Sequence, residues 1–291
     1  MRLESKFCKL ATLFMVLPGF ALAEPVCSND LITIPAGVMM LGVGDSSLAD
    51  ERPPHQVQLD EFQIAKYEIT LTQAKGFITL LPQEHPMRNE LIREMETNPC
   101  NPVHDLTWQE SANLCQSLGG RLPTEAEWVS AATWSPHAPG QLLWPTGDEL
   151  PSVLVQQANQ DAPALSLEIM ILAGFTEAEM EVLKPKPHKQ LSDRLRPVQE
   201  SLQGLSGVQG MTGNVWEWVA DWYGSFAPQA ISNPHGPAKG AFKVIKGGSY
   251  LNAEKPELLR PQLRNFVSPK TRSSAIGVRC AWGPTTAIAK Q

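Results

Sequence analysis

The glycine and proline content limits most strongly what this chain can fold into. Its 291 residues include 21 glycines and 25 prolines. Proline lacks a main-chain N–H, and glycine loses the most backbone entropy on folding, so long helices do not tolerate many of either. A helical bundle is therefore excluded, and we expect short elements joined by loops. Hydrophobic residues at 42% and charged residues at 19% indicate a globular core rather than disorder.

The charge balance excludes one class of function. The chain carries 24 Lys and Arg against 30 Asp and Glu, which gives a formal net charge of −6. Non-specific nucleic-acid binding depends on a strongly basic surface. We therefore expect no nucleic-acid partner.

The first 23 residues have the pattern of a signal peptide, and this segment (1–23) is treated as a separate unit. Three basic residues precede an apolar run over residues 10–22, and the run ends in a small-x-small pattern at Ala23. A buried N-terminal helix is the alternative. We expect cleavage near Ala23 and a periplasmic or secreted mature chain, 24–291. No later stretch has about 18 apolar residues, so we expect no transmembrane segment in the mature chain.

The cysteine count changes when the signal peptide is removed. Five cysteines become four, because Cys8 leaves with the signal peptide. An even number in an oxidising compartment predicts two disulfides, for which three pairings are possible. A structural metal site is the alternative, but the chain has no CxxC pair to support it. The four remaining cysteines are Cys27, Cys100, Cys115 and Cys280.

Local patterns predict short strands and short helices. Alternating apolar residues predict strands over 31–34, 57–59 and 62–67, with later strands over 243–245 and 277–280. A helix is predicted over 70–81, with Thr70 or Thr72 as its cap. Two capping boxes, at 107–110 and 124–127, predict helices to Leu118 and to about Thr133, and Gly119-Gly120 ends the first.

Residues 161–196 differ from the rest and predict a helical insertion. The segment has no Trp and several helix formers, and it holds a third capping box at 176–179. Its apolar cluster, residues 169–172 and Phe175, packs on its own domain in one interpretation and docks a partner in the other.

Four segments, in this order, carry a resemblance to a known family. The first contains KYEIT (66–70), the second GRLPTEAEW (120–128), the third GNVWEW (213–218), and the fourth GGSY (247–250) with GVRC (277–280). Together they resemble the formylglycine-generating enzyme (sulfatase-modifying factor) family. The resemblance covers about residues 31–283, apart from the insertion.

The resemblance implies the fold and the disulfides. It implies a single compact, loop-rich α+β domain related to C-type lectins, which agrees with the glycine and proline content. It also implies that Cys115 pairs with Cys280, which leaves Cys27 to pair with Cys100. The five tryptophans inside the family segments are interpreted as core rather than as a ligand cage.

The copper site of the catalytic members is missing from this sequence. Those members bind copper through two cysteines five residues apart, just after the Gly-Gly-Ser segment, and paired thiolates suit Cu(I). Asn252 stands at the first position and the second falls near Glu257, so we expect no copper. Ser249 matches a groove serine, with a turn serine as the alternative. Asn252, Glu254 and Glu257 are candidate ligand or catalytic groups, with a solvated loop as the alternative.

The resemblance also implies calcium, held mainly by oxygen atoms. The first site would use Gly213, Val215 and Glu217, and its fourth ligand position is Gly210, which has no side-chain oxygen. The alternative for Glu217 is a buried ion pair with Arg264 or Arg279. A second site would begin at Asn159 and Gln160.

Two functional hypotheses remain. The first is a family member that is not catalytic for formylglycine formation and binds a periplasmic protein partner, as an accessory of a secretion or signalling system. The second is a periplasmic enzyme of altered chemistry, such as the oxidative maturation of a peptide or siderophore product. The absence of paired cysteines near Asn252 argues against copper-dependent formylglycine formation.

Overall fold

The computed structural model describes residues 27, 30–137, 141–147, 195–252 and 256–283. The predicted signal peptide, the third capping box and almost all of the predicted insertion lie outside them. The strands are β1 Leu31–Ile34, β2 Gly37–Leu41, β3 His55–Leu59, β4 Phe62–Ala65, β5 Trp216–Trp222, β6 Ile231–Ser232, β7 Lys243–Lys246, β8 Asn265–Val267, β9 Ile276–Gly277 and β10 Ala281–Trp282. The helices are α1 Lys75–Leu80, α2 Arg88–Thr97, α3 Trp108–Ser117 and α4 Glu125–Thr133.

The strands form three small sheets. Their orders are β1-β4-β10, β2-β3-β6 and β8-β7-β5-β9. The first and the last of the described strands, β1 and β10, both pair with β4 in antiparallel orientation. The predicted α+β domain of short, loop-joined elements is confirmed.

The four-stranded sheet has core on both of its faces. On β5, Trp218 belongs to one buried cluster and Val219 to the other, and on β7 Ile245 and Val244 divide in the same way. Helix α4 packs against β5 and β7. Successive strand side chains point to opposite faces, so a strand buried on both faces reads as a continuous apolar run. This is why WEWVADW shows no alternation that would predict β5.

Both predicted capping boxes are present. The Thr107 hydroxyl accepts from the Glu110 N–H, and the Glu110 carboxylate accepts from the Thr107 N–H. Thr124 and Glu127 make the same reciprocal pair at the start of α4. Each box satisfies two of the N–H groups that a helix start leaves unpaired. The start of each of these two helices is therefore determined by its local sequence.

Three predicted boundaries are wrong. Helix α1 begins only at Lys75, because the residues before it are used in a turn: Thr70 bonds to Gln73, and Thr72 bonds to the carbonyl of Pro99. Strand β4 ends at Ala65, two residues before the predicted end. Of the strand predicted over 277–280, only Gly277 lies in a strand, β9, and residues 278–280 connect β9 to β10. Arg279, in this connection, is fully buried and bonds to Glu217.

Both implied disulfides are confirmed. Cys27 pairs with Cys100 and Cys115 with Cys280, with Cα–Cα distances of 5.4 and 5.5 Å. They close sequence separations of 73 and 165 residues. Within the described ranges, no helix is both long and apolar enough to cross a membrane.

Candidate functional site

The loop after β7 is the segment that the resemblance matches to the family's copper site. Gly247 and Gly248 have φ values of 94° and 76°, which favour glycine. A Cβ on Gly248 would collide with the Leu259 side chain. The main chain at Gly248 is therefore in close contact with the segment Pro256–Leu259. This contact sets the direction in which the following residues leave the sheet.

Ser249 and Asn252 close this loop on itself. The Asn252 Oδ1 atom accepts from the Ser249 N–H and from the Ser249 hydroxyl, both at 3.0 Å. The Ser249 Oγ atom also accepts from the Leu251 N–H at 3.2 Å. Both side chains are buried. Ser249 is therefore a turn serine, and the position matched to the first copper cysteine holds an amide used within the loop.

The two candidate acids of this loop lie wholly or partly outside the described part of the structure. Glu254 lies outside the described residues. Glu257 lies in a 3-10 turn, Pro256–Leu259, but its side chain is outside the described part of the structure. Their predicted roles therefore stay predictions.

Arg279 forms the charged centre beneath this loop. Its Nε atom donates to both Glu217 oxygens at 3.1 and 2.9 Å, and its Nη2 atom donates to Oε1 at 2.8 Å. The other Glu217 oxygen also accepts from Trp128 Nε1 at 2.6 Å. The guanidinium bonds further to the carbonyls of Ala65 and Gln209. The ion pair with Arg279 is the alternative that the sequence left open for Glu217.

Glu68 is a second carboxylate in this centre, which the sequence analysis did not single out. It is fully buried, its Oε2 atom lies 3.7 Å from Arg279 Nη2, and its Oε1 atom accepts from Asn214 Nδ2 at 3.1 Å. Burial raises the pKa of Glu68 to about 7; the charge of Arg279 opposes the shift and that of Glu217 adds to it. Glu68 is part of the KYEIT segment, and this was the sequence feature that could have identified it as a candidate residue.

Glu68 explains the glycine at position 210. A Cβ on Gly210 would lie 2.6 Å from Glu68 Oε2, and Gly210 has a φ of 72°. No side chain fits there while Glu68 occupies that space. The side-chain ligand that the family's calcium site would place at this position is therefore sterically excluded.

The calcium role implied for Glu217 does not fit this arrangement. Each Glu217 oxygen already accepts two hydrogen bonds, and Arg279 places a positive charge beside them. A calcium ion takes six to eight oxygen ligands and would have to displace these donors. Val215 is fully buried, and the Gly213 N–H donates to the Gly247 carbonyl. Asn159 and Gln160, the start of the second site, lie outside the described residues.

A buried histidine, which forms a β-bridge with Gly277 of β9, joins two carboxylates. His104 Nδ1 lies 2.8 Å from Asp105 Oδ2, and Nε2 lies 2.9 Å from Glu94 Oε2. Burial lowers the pKa of His104, but the two carboxylates outweigh it and raise the pKa to about 9. Glu94 also accepts from Asn101. Among the residues that the structure describes, no group of three or more His, Cys, Asp and Glu side chains has the arrangement of a metal site.

A second ion-pair centre holds the start of α4. Arg264 donates to both Glu125 oxygens at 2.9 to 3.2 Å, and Lys246 Nζ lies 3.4 Å from Glu125. Burial opposes the ionisation of Glu125, but these two cations hold its pKa below its usual value. Asp221 accepts from the Glu125 N–H, and burial, with the charge of Glu125, raises the Asp221 pKa to about 7.

The tryptophans of the family segments are structural. Trp128, Trp216 and Trp218 are buried in the two core clusters. The Lys243 ammonium lies over Trp108 and Trp222, 3.7 and 4.0 Å from the ring centroids. The space between these two rings is therefore filled by the chain's own lysine.

The fold and these centres define a member of the formylglycine-generating enzyme class. The family described as "Sulfatase-modifying factor enzyme 1-like domain" matches residues 20–284, so the chain belongs to this family. The formylglycine-generating enzyme of Streptomyces coelicolor is 30% identical over 91% of this chain and 92% of its own length. Hercynine oxygenase of Mycolicibacterium smegmatis is 28% identical over 89% of this chain.

The chain spans only 62% of that hercynine oxygenase, and 54% of a second hercynine oxygenase, from Mycolicibacterium thermoresistibile. Among solved structures, Treponema denticola variable protein 1 aligns with a TM-score of 0.61 at 18% identity, covering 88% of this chain and 95% of that chain. This likeness shows the shared fold.

Proposed function

We propose that the mature chain is an exported, protein-binding member of the family that does not carry out copper-dependent formylglycine formation. One observation carries the proposal: Asn252, at the first copper position, uses its amide oxygen to hold Ser249. An amide oxygen is a poor ligand for Cu(I), which prefers thiolates. The described cysteines are all engaged in disulfides and supply no thiolate.

The chemistry is tested directly with a cysteine-containing sulfatase peptide. The purified chain, given copper and oxygen, should leave the peptide's thiol mass unchanged, while a copper-loaded formylglycine-generating enzyme converts it. Conversion by this chain would refute the non-catalytic half of the proposal.

Export is supported by the signal-peptide pattern and by the disulfides. Disulfides persist in the periplasm and outside the cell, and cytosolic reductants keep most thiols reduced. Expression of the full chain in bacteria, followed by fractionation and N-terminal sequencing, should recover a periplasmic protein that begins near residue 24. An uncleaved, cytosolic chain with reduced cysteines would contradict export.

Partner binding is tested by capture from periplasmic extract at near-physiological salt. The tagged mature chain should recover a specific protein in crosslinking mass spectrometry. The predicted insertion offers a contrast: deletion of residues 164–194 should leave the fold intact and abolish capture if its apolar cluster docks the partner. Loss of folding would show that the cluster packs on its own domain. Recovery of no partner by the full mature chain would contradict the binding function.

An enzyme of altered chemistry is the second candidate. The names of the relatives favour it, since a hercynine oxygenase and a formylglycine-generating enzyme are both enzymes. Glu254 and Glu257 lie in the loop that carries the catalytic positions of the family and are its candidate groups. Replacing both by Ala should give cells the same phenotype as loss of the whole protein. Glu96→Ala, on the exposed side of α2, should not. An unchanged phenotype with an intact fold would count against this candidate.

Calcium binding is proposed only for the second site, at Asn159 and Gln160, where amide oxygens suit a hard cation. Calorimetry with millimolar Ca²⁺ should show heat that Asn159→Ala reduces. No heat, together with a melting temperature unaffected by chelator, would refute it.

A further inference from the structure

Among the described strands, β2 has a neighbour on one side only. It is the outer strand of the sheet β2-β3-β6, and Met40 pairs with Gln56 of β3. The Met40 N–H donates to Gln141 Oε1 at 3.0 Å, and the Met40 carbonyl accepts from Gln262 Nε2 at 3.2 Å. Both main-chain groups of Met40 therefore point away from β3. Outward groups recur at every second residue of an antiparallel strand, so those of Val38 point outward too.

The side chains of two glutamines form hydrogen bonds to the main chain along part of this edge. Gln262 bonds to the Met40 carbonyl with its nitrogen and to the Gly42 N–H with its oxygen, at 3.2 and 3.0 Å. Gln141 uses only its oxygen. Its Nε2 atom is buried and has no hydrogen-bond partner among the described residues, although buried polar groups are normally paired. Within that part of the chain, the outer edge of β2 has side-chain partners at Met40 and Gly42 and none at Val38.

A groove lies along the open part of the edge. Its volume is about 420 Å³, and β2 forms one wall while the C-terminal end of α4 forms the other. Val38 is 64% exposed and Met40 is 41% exposed. The lining residues used here are Val38, Met39, Thr133, Trp134, Ser135 and Gln141.

The uncharged lining of the groove determines which kind of ligand it favours. None of the lining residues that the structure describes carries a charge, although the whole chain has a net charge of −6. Exposed edge strands are usually protected by charged residues or proline, and β2, Gly-Val-Met-Met-Leu, contains neither. A charged ligand would lose hydration here with no compensating ion pair, whereas a neutral segment would not.

We propose that this groove binds an extended, uncharged segment of a partner polypeptide, which pairs with Val38 as an added strand. A carbonyl of the segment accepts from the Val38 N–H, and a second accepts from Gln141 Nε2. Alternate side chains of the segment lie against Trp134 and Met39. This mode of recognition takes its affinity from main-chain hydrogen bonds and its specificity from the pockets for alternate side chains. The inference rests on the proposed partner-binding function and names the site.

The test uses a fluorescent, terminally blocked peptide of alternating valine and threonine, titrated into the full mature chain by anisotropy. Val38→Pro removes the outward N–H and should weaken binding at least tenfold, a change of about 1.4 kcal/mol. Gln141→Glu keeps the oxygen that accepts from Met40 and lacks the amide donor, so it should also weaken binding. It tests the proposal independently if Val38→Pro fails to fold. Leu80→Ser, an exposed substitution on α1, is the control and should bind as the wild type does.

An N-methylated version of the same peptide tests the main-chain pairing without changing the protein. It should not bind. Equal binding of the N-methylated peptide, or no binding of the unmodified peptide, would overturn the proposal. Self-association of the wild-type chain that Val38→Pro abolishes would also overturn it, because a second copy would then be the occupant.

The capture experiment separates this inference from the proposed function. If Val38→Pro and Gln141→Glu still recover the partner that the wild type recovers, the groove is not the docking site and the binding function stands. If the wild type recovers no partner, the binding function fails, while the peptide titration still decides whether the groove accepts a strand.

Discussion

The amide oxygen of Asn252 accepts two hydrogen bonds from Ser249, one from its main chain and one from its hydroxyl. Asn252→Ala would leave both buried donors without an acceptor, so we expect the free energy of unfolding to fall by about 1–3 kcal/mol. Urea unfolding measures this. Asn113→Ala, at an exposed position on α3, should change stability by less than about 0.5 kcal/mol. Equal effects of the two substitutions would show that Asn252 does not hold the loop.

Gly210 and Gly213 form a matched pair for testing the Glu68 contact. Both have positive φ, 72° and 87°, but only at Gly210 would a Cβ collide with a carboxylate. Gly213→Ala should destabilise the fold by the backbone strain alone, about 1–2 kcal/mol. Gly210→Ala should destabilise it further. Thermal melting of the two variants compares them directly, and a smaller effect at Gly210 would place Glu68 elsewhere in solution.

Arg279 should not tolerate replacement by lysine. Its guanidinium bonds to Glu217 and to two buried carbonyls in different directions, and one ammonium cannot span all of these acceptors. Arg279→Lys should lower the free energy of unfolding by about 3–5 kcal/mol, the range for breaking a buried ion pair. Arg196→Lys, in a half-exposed pair with Glu200, is the control and should be nearly neutral.

His104 should make stability depend on pH. Its pKa is raised from 6.5 to about 9 in the folded chain, so its contribution is complete below pH 6.5 and is lost as the pH rises through 9. The difference in unfolding free energy between wild type and His104→Gln should be largest at pH 6, about 3 kcal/mol, and should shrink towards pH 9.

Other buried groups titrate in nearby ranges, so the difference between the two proteins is the quantity to follow. The pKa values of Glu68 and Asp221 are raised to about 7, and those of Lys243 and Lys246 are lowered to about 8. His137→Gln, at an exposed position, is the control substitution. A difference between wild type and His104→Gln that stays constant from pH 6 to 10 would mean that folding does not raise the pKa of His104.

Elements whose signals are local could be predicted from the sequence. Each capping box, at Thr107 and at Thr124, determines the start of its helix, α3 or α4, through residues that are close in sequence. Both helices were therefore predicted. Helix α2 was not, because no side chain caps its start and it buries only Leu91 and Glu94. The ion-pair centre was found only in part, since Glu68, Glu217 and Arg279 meet through tertiary packing. No local pattern encodes a meeting of residues so far apart.

The position of β4 between β1 and β10 has a consequence for the synthesis of the protein. A polypeptide emerges from the ribosome N-terminus first, so one edge of β4 stays without its partner until residues 281–282 have been made. Cys280 is also made last, after Cys27, Cys100 and Cys115. Among those three, the Cys27–Cys100 pair is native, but a bond from Cys115 to either of the other two is not. A crosslink of Cys115 that forms before Cys280 is available therefore has to be reopened by thiol–disulfide exchange before the native pair can form.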